Sequence, residues 1–304
     1  FDWLRPRIKS RRLLLALVSA LFGVMPIPGR ISVTSAVLET LKPKGKPAPE
    51  FGTVAYLASH HYYLWSPMEK SVVLSLAGMG VSYQTFMGWM ALPLLLLLAV
   101  TVAYIFVAVP EEHIAWNDEA REPAPGRGLD LLLFAAAFVG AIAGLNVGLT
   151  FGALMVVTLI RHRVPLKTAL KAVDWALVGV VIGVIIGGQL IRAYDAELKA
   201  WFEGLAQGGL SLWAGGAVAF GLSVLLGSSS RYAAIAVLGA AVYGHEYFVF
   251  FFLVDFAGYV VSPTHKCLWI GRMYFGTPLL RYYRMLGLVA VTMLAYAAGA
   301  AALA

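Results

Sequence analysis

The chain has 304 residues, 60% of them apolar and only 13% charged, with a mean hydropathy of +0.79. Soluble domains run nearer about 45–50% apolar and 25% charged, so composition excludes an ordinary water-soluble globule. The net charge of +7 comes from short basic clusters between apolar runs, the pattern of membrane topology signals rather than of a nucleic-acid-binding face. Cys267 is the single cysteine, which excludes an intramolecular disulfide and a multi-cysteine metal site and leaves it as a small core residue.

Apolar runs of the length a bilayer requires recur at 83–109, 129–160, 172–191, 211–227, 231–261 and 285–304. Shorter runs at 13–25 and 70–80 bring the expectation to about eight membrane segments. The chain opens Phe1-Asp2-Trp3, and the basic run Arg5, Arg7, Lys9, Arg11 and Arg12 favours a cytoplasmic start. The run at 13–25 is too short to cross alone and breaks at Pro26-Ile27-Pro28-Gly29, residues that cannot continue a helix. Irregular backbone at membrane depth survives only inside protein or beside a wet cavity, so this reads as a re-entrant tip or broken helix, with a surface turn as the alternative.

Residues 42–50 form a basic, proline-rich, solvated loop, and 51–67 carry two adjacent histidines and several aromatics ending in Pro67, which suits an interfacial or cavity-facing helix. The acidic segment 110–128 is an external linker between two halves, after which 129–160 crosses inward and 172–191 outward. Residues 192–210 read as an amphipathic element at the outer interface. The run 211–227 stops at Gly227-Ser228-Ser229-Ser230-Arg231, and the following run is interrupted at Ser262-Pro263-Thr264-His265-Lys266-Cys267.

Breaks at 26–30 and 59–67 recur at 227–231 and 262–267, about 200 residues later each time, and paired interruptions of this kind point to a transporter binding site. The expected fold is all-α: a polytopic membrane protein of two inverted repeats, each with a re-entrant hairpin and a broken helix. Residues 1–109 form the first repeat, 110–128 the linker and 129–304 the second repeat. The spacing also implies that the first repeat lacks some N-terminal helices.

At these same breaks the sequence resembles a family of integral membrane proteins related to gluconate permeases, domain of unknown function four hundred and one, within the ion transporter superfamily. The family's Ser-Pro-x-His-x-Cys-Leu is matched by Ser262, Pro263, His265, Cys267 and Leu268, followed by Tyr274-Phe275. Its Pro-x-Pro-Gly-Gly resembles Pro26-Ile27-Pro28-Gly29-Arg30, with Arg30 in place of the second glycine. Its aromatic element Tyr-Trp-Phe-Arg-His-x-Trp-Glu resembles the stretch from Tyr56 to Pro67 and keeps His60, while Ser59, Tyr62 and Tyr63 replace Arg, Trp and Glu. The resemblance implies a carboxylate permease fold with additional N-terminal helices in family members.

Candidate substrate-binding residues are Pro28, Gly29, Arg30, His60, Ser229, Ser262 and His265, all at breaks. Arg30 suits a carboxylate ligand or, alternatively, snorkels to the cytoplasmic surface. His60 and His61 would bind an anion, relay protons or cap an interface, and adjacent histidines point to different helix faces. Asp255, within an apolar run, costs several kcal/mol at mid-membrane unless neutralised, so it is either an ion-coupling carboxylate or a structural partner of a cation. Asn146 and Gln189 are candidates for interhelical hydrogen bonds, and Gly144, Gly148, Gly183, Gly187 and Gly188 for small-residue packing faces.

These features predict a multi-pass cell-membrane secondary transporter that moves a small organic anion, gluconate-like or carboxylate, with H⁺ or Na⁺ by alternating access. The alternative is a non-transporting membrane subunit of a larger complex. No enzyme motif, metal or cofactor is expected beyond a bound Na⁺ as coupling ion. The lipid bilayer, the organic anion and either a homodimer partner or a companion membrane subunit are the expected partners, with no nucleic acid.

Overall fold

A computed structural model describes residues 8–23, 30–43, 45–115, 127–172, 211–227 and 229–304, and these are all-α, without a strand among them. The first group of helices is α1 (Arg11–Gly23), α2 (Arg30–Thr40), α3 (Glu50–His60), α4 (Lys70–Met79) and α5 (Tyr83–Ala108). Between groups lie α6 (Arg127–Ile142), α7 (Val147–Arg161) and α8 (Leu166–Ala172). The last group is α9 (Leu212–Leu226), α10 (Ser229–Tyr243), α11 (Phe248–Val261), α12 (Lys266–Phe275) and α13 (Leu279–Leu303).

Among the described residues three helices are long and apolar enough to cross a membrane: Tyr83–Ala108, the interrupted His245–Phe275, and Leu279–Leu303. Two of the other expected apolar runs, 129–160 and 231–261, are divided, for local reasons. The run 129–160 is divided between α6 and α7 at Gly144, whose φ of 102° places it in a turn rather than on a packing face. Asn146 does not bridge helices; its side chain caps α7 by accepting from the Leu149 amide at 3.0 Å. Gly148 lies just beyond that cap, where an added Cβ would meet only the Asn146 side chain. The run 231–261 is likewise divided, by Gly244 at φ 122° between α10 and α11. The expected crossing at 172–191 beyond Ala172, the element at 192–210, and Gly183, Gly187, Gly188 and Gln189 lie outside the described residues.

The first and last groups share an order of parts. Helices α1 to α5 start at Arg11, Arg30, Glu50, Lys70 and Tyr83, and α9 to α13 start at Leu212, Ser229, Phe248, Lys266 and Leu279, each about 200 residues after its counterpart. Residue identities stand behind this: Tyr63-x-x-Ser66-Pro67-x-x-Lys70 recurs at one constant spacing as Tyr259-x-x-Ser262-Pro263-x-x-Lys266. Both motifs fold alike. The Ser66 hydroxyl accepts from the Met68 amide at 3.3 Å, as the Ser262 hydroxyl accepts from the Thr264 amide at 3.3 Å. The serine carbonyls then accept from the Glu69 and His265 amides. Proline cannot donate to a helix, and the serine turn satisfies the backbone that it leaves open. Even the helices after the two motifs end alike, α4 at Gly80 with φ 64° and α12 at Gly276 with φ 63°.

Packing repeats as well. Helices α1 and α2 pack on α3 as α9 and α10 pack on α11, and the groups interlock reciprocally, α4 against α10 and α12 against α2. Close approach depends on missing side chains in both: a Cβ on Gly23 would strike the Ala58 carbonyl, and one on Gly258 would lie 2.5 Å from the Phe220 carbonyl. The larger core is built around α11, from Phe248, Phe251, Phe252 and Phe256 against Phe86 and Met90 of α5 and Leu286 and Met293 of α13. A smaller core holds α1, α2 and α3 through Leu15, Val18, Leu38 and Phe51. The start of the 110–128 segment closes onto this smaller core, with the Arg12 guanidinium on the Val109 carbonyl and Ile114 buried. Nearby, buried Glu50 receives Arg281 from α13 and His113.

Candidate functional site

The two Ser-Pro breaks meet inside the protein. Tyr259 at the last turn of α11 donates its hydroxyl to the Tyr63 hydroxyl at 2.9 Å, so equivalent residues of the two motifs touch each other. The Tyr56 hydroxyl donates to the Val260 carbonyl at 2.8 Å, tying α3 to the same turn. All of these tyrosines are buried.

His60 ends α3 and His265 opens α12, and their Nε2 atoms lie 3.1 Å apart. Each imidazole is fixed from behind. His60 Nδ1 donates to the Tyr56 carbonyl and lies flat on the Tyr56 ring, with centroids 3.9 Å apart. His265 Nδ1 donates to the Tyr259 carbonyl at 3.3 Å. Both rings are almost completely buried, at 1% and 2% exposure. His61 faces elsewhere, accepting from the Trp65 indole N–H at 3.0 Å and stacking on that ring. The two adjacent histidines thus serve different surroundings.

Arg30, the first residue of α2, is drawn inward rather than out to a surface. Its guanidinium donates to Glu69 at 2.8 Å, with both side chains largely shielded from solvent at 12% and 6% exposure. It also lies over the rings of Tyr62 and Tyr63, at 4.2 and 4.7 Å from their centroids. An ion pair this buried is electrostatically neutral as a unit, and an anion reaching Arg30 must share it with Glu69 or displace the Glu69 carboxylate.

Ser262 has a positional role. Its hydroxyl donates to the Val224 carbonyl at 2.6 Å and contacts the Thr264 hydroxyl at 2.8 Å, so the break in the long helix is fastened to the C-terminal end of α9. Gly227 caps that end at φ 56°, and a Cβ on it would collide with Thr264 Oγ1. The second break and the C-terminal end of α9 are therefore one assembly.

Asp255 lies six residues before the end of α11 and is 0% exposed. Neither carboxylate oxygen has a hydrogen-bond partner of normal geometry among the described residues, and the Ala236 backbone on α10 is the polar group that bears on it. It is separate from the histidine pair, roughly 9 Å of helix before the break. Of the remaining candidates, Ser229 opens α10, whereas Pro28 and Gly29 lie outside the described residues.

Sequence reasoning passed over Glu69, Tyr63, Tyr259 and Cys267 as site residues. The repeated Tyr-x-x-Ser-Pro-x-x-Lys would have found three of them, because Tyr63 and Tyr259 are its first residues and Glu69 occupies the position of His265 in it. Cys267 stands immediately after the lysine that closes the second motif and is the cysteine of the Ser-Pro-x-His-x-Cys-Leu stretch, but in the sequence it reads only as a small core residue. His60, His265 and Cys267 place one donor atom each within 4.8 Å of one another.

Comparison of the chain with models of known families, with curated proteins and with solved structures finds no match.

Proposed function

We propose that this chain is a secondary transporter of the cell membrane, built on two inverted repeats that move a small organic anion together with H⁺ or Na⁺ by alternating access. The reading is supported above all by one observation: two like Ser-Pro breaks meet through their own equivalent tyrosines, Tyr63 and Tyr259. Contact between counterparts is what a two-fold relation between repeats produces at its axis, and transporters hold substrate where such interrupted helices converge. The sequence resemblance to the gluconate-permease-related family falls at the same two breaks, through His60, Ser262, Pro263 and His265.

Helix lengths support the rest of the architecture. Helices α9 and α10 have 15 residues each and span roughly 22 Å, short of a hydrocarbon core of about 30 Å, as expected of re-entrant hairpin arms. Helix α5 turns Leu92, Leu95, Val102 and Phe106 outward, a face suited to lipid.

In this reading the substrate carboxylate takes the place of Glu69 on Arg30, and the bidentate guanidinium, already oriented by Tyr62 and Tyr63, discriminates a planar carboxylate. Asp255 carries the coupling ion. An unpaired carboxylate in an apolar interior is costly, and a bound proton or Na⁺ removes that cost while the group is enclosed. The measurement is uptake of gluconate and of dicarboxylates into proteoliposomes under imposed pH or Na⁺ gradients. Gradient-driven uptake that Asp255→Asn uncouples is expected; absence of uptake under either gradient contradicts the reading.

A further inference from the structure

The two facing histidines pose a chemical problem that the transport reading does not use. Backbone carbonyls only accept, so the contacts to Tyr56 and Tyr259 place a proton on Nδ1 of both rings. A neutral imidazole protonated at Nδ1 carries a lone pair on Nε2. His60 and His265 then point two lone pairs at each other across 3.1 Å. Such a contact becomes attractive only when something positive is shared between the two nitrogens.

A proton would satisfy two nitrogens and need nothing else. The surroundings hold more than that. Cys267 Sγ completes a set of three donors within 4.8 Å, and it comes from the same break as His265. Backbone carbonyls behind both Nδ1 atoms are also the usual outer support of metal-binding histidines, fixing tautomer and ring orientation. In a tetrahedral zinc site with Zn–N of about 2.0–2.1 Å, two nitrogens lie roughly 3.3 Å apart, close to the spacing present. Zn–S of about 2.3 Å places the sulfur roughly 3.6 Å from each nitrogen, so a movement of about 1 Å by the thiol closes the set.

We propose that His60 Nε2, His265 Nε2 and Cys267 Sγ form a binding site for a borderline-to-soft transition-metal ion of the zinc class, with a fourth position open. Two imidazoles and a thiolate disfavour Na⁺, Mg²⁺ and Ca²⁺, which take oxygen donors. Binding forms two metal–nitrogen bonds and one metal–sulfur bond and releases the Cys267 thiol proton to solvent. The ion would join α3 to α12 across the two groups of helices, at the place where their breaks converge.

The site is independent of whether anything is transported, because metal binding is read on the purified, detergent-solubilised chain. The protein is stripped with a chelator and titrated with Zn²⁺ against a competing indicator, and separately with Co²⁺ for its optical spectrum. One Zn²⁺ per chain is expected, with a thiolate-to-cobalt charge-transfer band in the Co²⁺ form. Cys267→Ser should abolish that band, and Cys267→Ser and His265→Gln should each weaken Zn²⁺ binding by more than about 100-fold. Variants are compared only where circular dichroism and gel filtration match the parent chain. A measurement without variants stands beside these: in chain labelled with ¹⁵N-histidine, Zn²⁺ should shift two Nε2 resonances and leave their Nδ1 protons in place. The proposal is overturned by failure to bind Zn²⁺ stoichiometrically, by affinity that neither substitution changes, or by Nε2 resonances that respond to acid alone.

Discussion

The two groups of helices use one plan with different chemistry at the break. In the first, Ser66-Pro67 leads to Glu69, which holds Arg30 in a buried ion pair against two tyrosine rings. In the second, Ser262-Pro263 leads to His265, and the serine fastens the break to the α9 end through the Val224 carbonyl. The lone acid there, Asp255, lies in the apolar helix before the break with no normal hydrogen bond among the described residues. The difference teaches that backbone geometry was repeated while buried charge was not: one break encloses a compensated ion pair, and its counterpart encloses a histidine and, six residues before the end of α11, a single acid.

The largest test of that division is removal of one ionic partner. Glu69→Ala should destabilise the folded chain by about 3–5 kcal/mol, because it strands a buried guanidinium, and unfolding in detergent measures it. Replacing both partners at once, Arg30→Met with Glu69→Leu, should recover much of the loss. If the single and double substitutions cost the same, the pair is not acting as a compensated unit.

Next in size are the glycines that let α1 approach α3 and α9 approach α11. Gly23→Ala and Gly258→Ala each push a methyl into a backbone carbonyl that cannot swing away, at a cost of about 1–3 kcal/mol or more. Comparable losses in both groups would sharpen the claim of a common plan, and a loss confined to one would break it.

The serines should separate the breaks again. Ser262→Ala removes the Val224 tie as well as the turn and should cost about 1–2 kcal/mol, whereas Ser66→Ala should cost about 0.5–1 kcal/mol in the same unfolding assay. The smallest effect belongs to the shared tyrosine contact. Tyr259→Phe should cost about 1 kcal/mol and Tyr63→Phe at least as much, because the Tyr63 hydroxyl also meets Arg30, and the double variant should cost less than the sum, since both remove the same hydrogen bond. Full additivity would show that the hydroxyls do not depend on each other.

Much of this was legible in the residues. Apolar length gave helices, three of them among the described residues long and apolar enough to cross a membrane, and proline and glycine marked where helices fail, because both act on the backbone locally. His60 and His265 each stand out at paired breaks, but that their rings meet is not readable from the residues. What was not legible depended on direction in space. Arg30 reads equally as a surface or an interior cation until Glu69 is seen across from it. The run 129–160 reads as one long helix, because a single glycine at positive φ carries little weight among so many apolar neighbours. Cys267 reads as filler until two imidazoles from distant breaks are brought beside it.

In the proposed transport cycle the region between the two breaks opens alternately to either side of the membrane. Ser59→Cys in a Cys267→Ala background places one thiol beside His60, in a position now buried. Its labelling by a membrane-impermeant reagent is followed in right-side-out and inside-out vesicles with and without a carboxylate substrate. The account predicts labelling from both sides, with substrate or ion gradient shifting the balance between them. Access from one side only, unchanged by substrate or gradient, would contradict it.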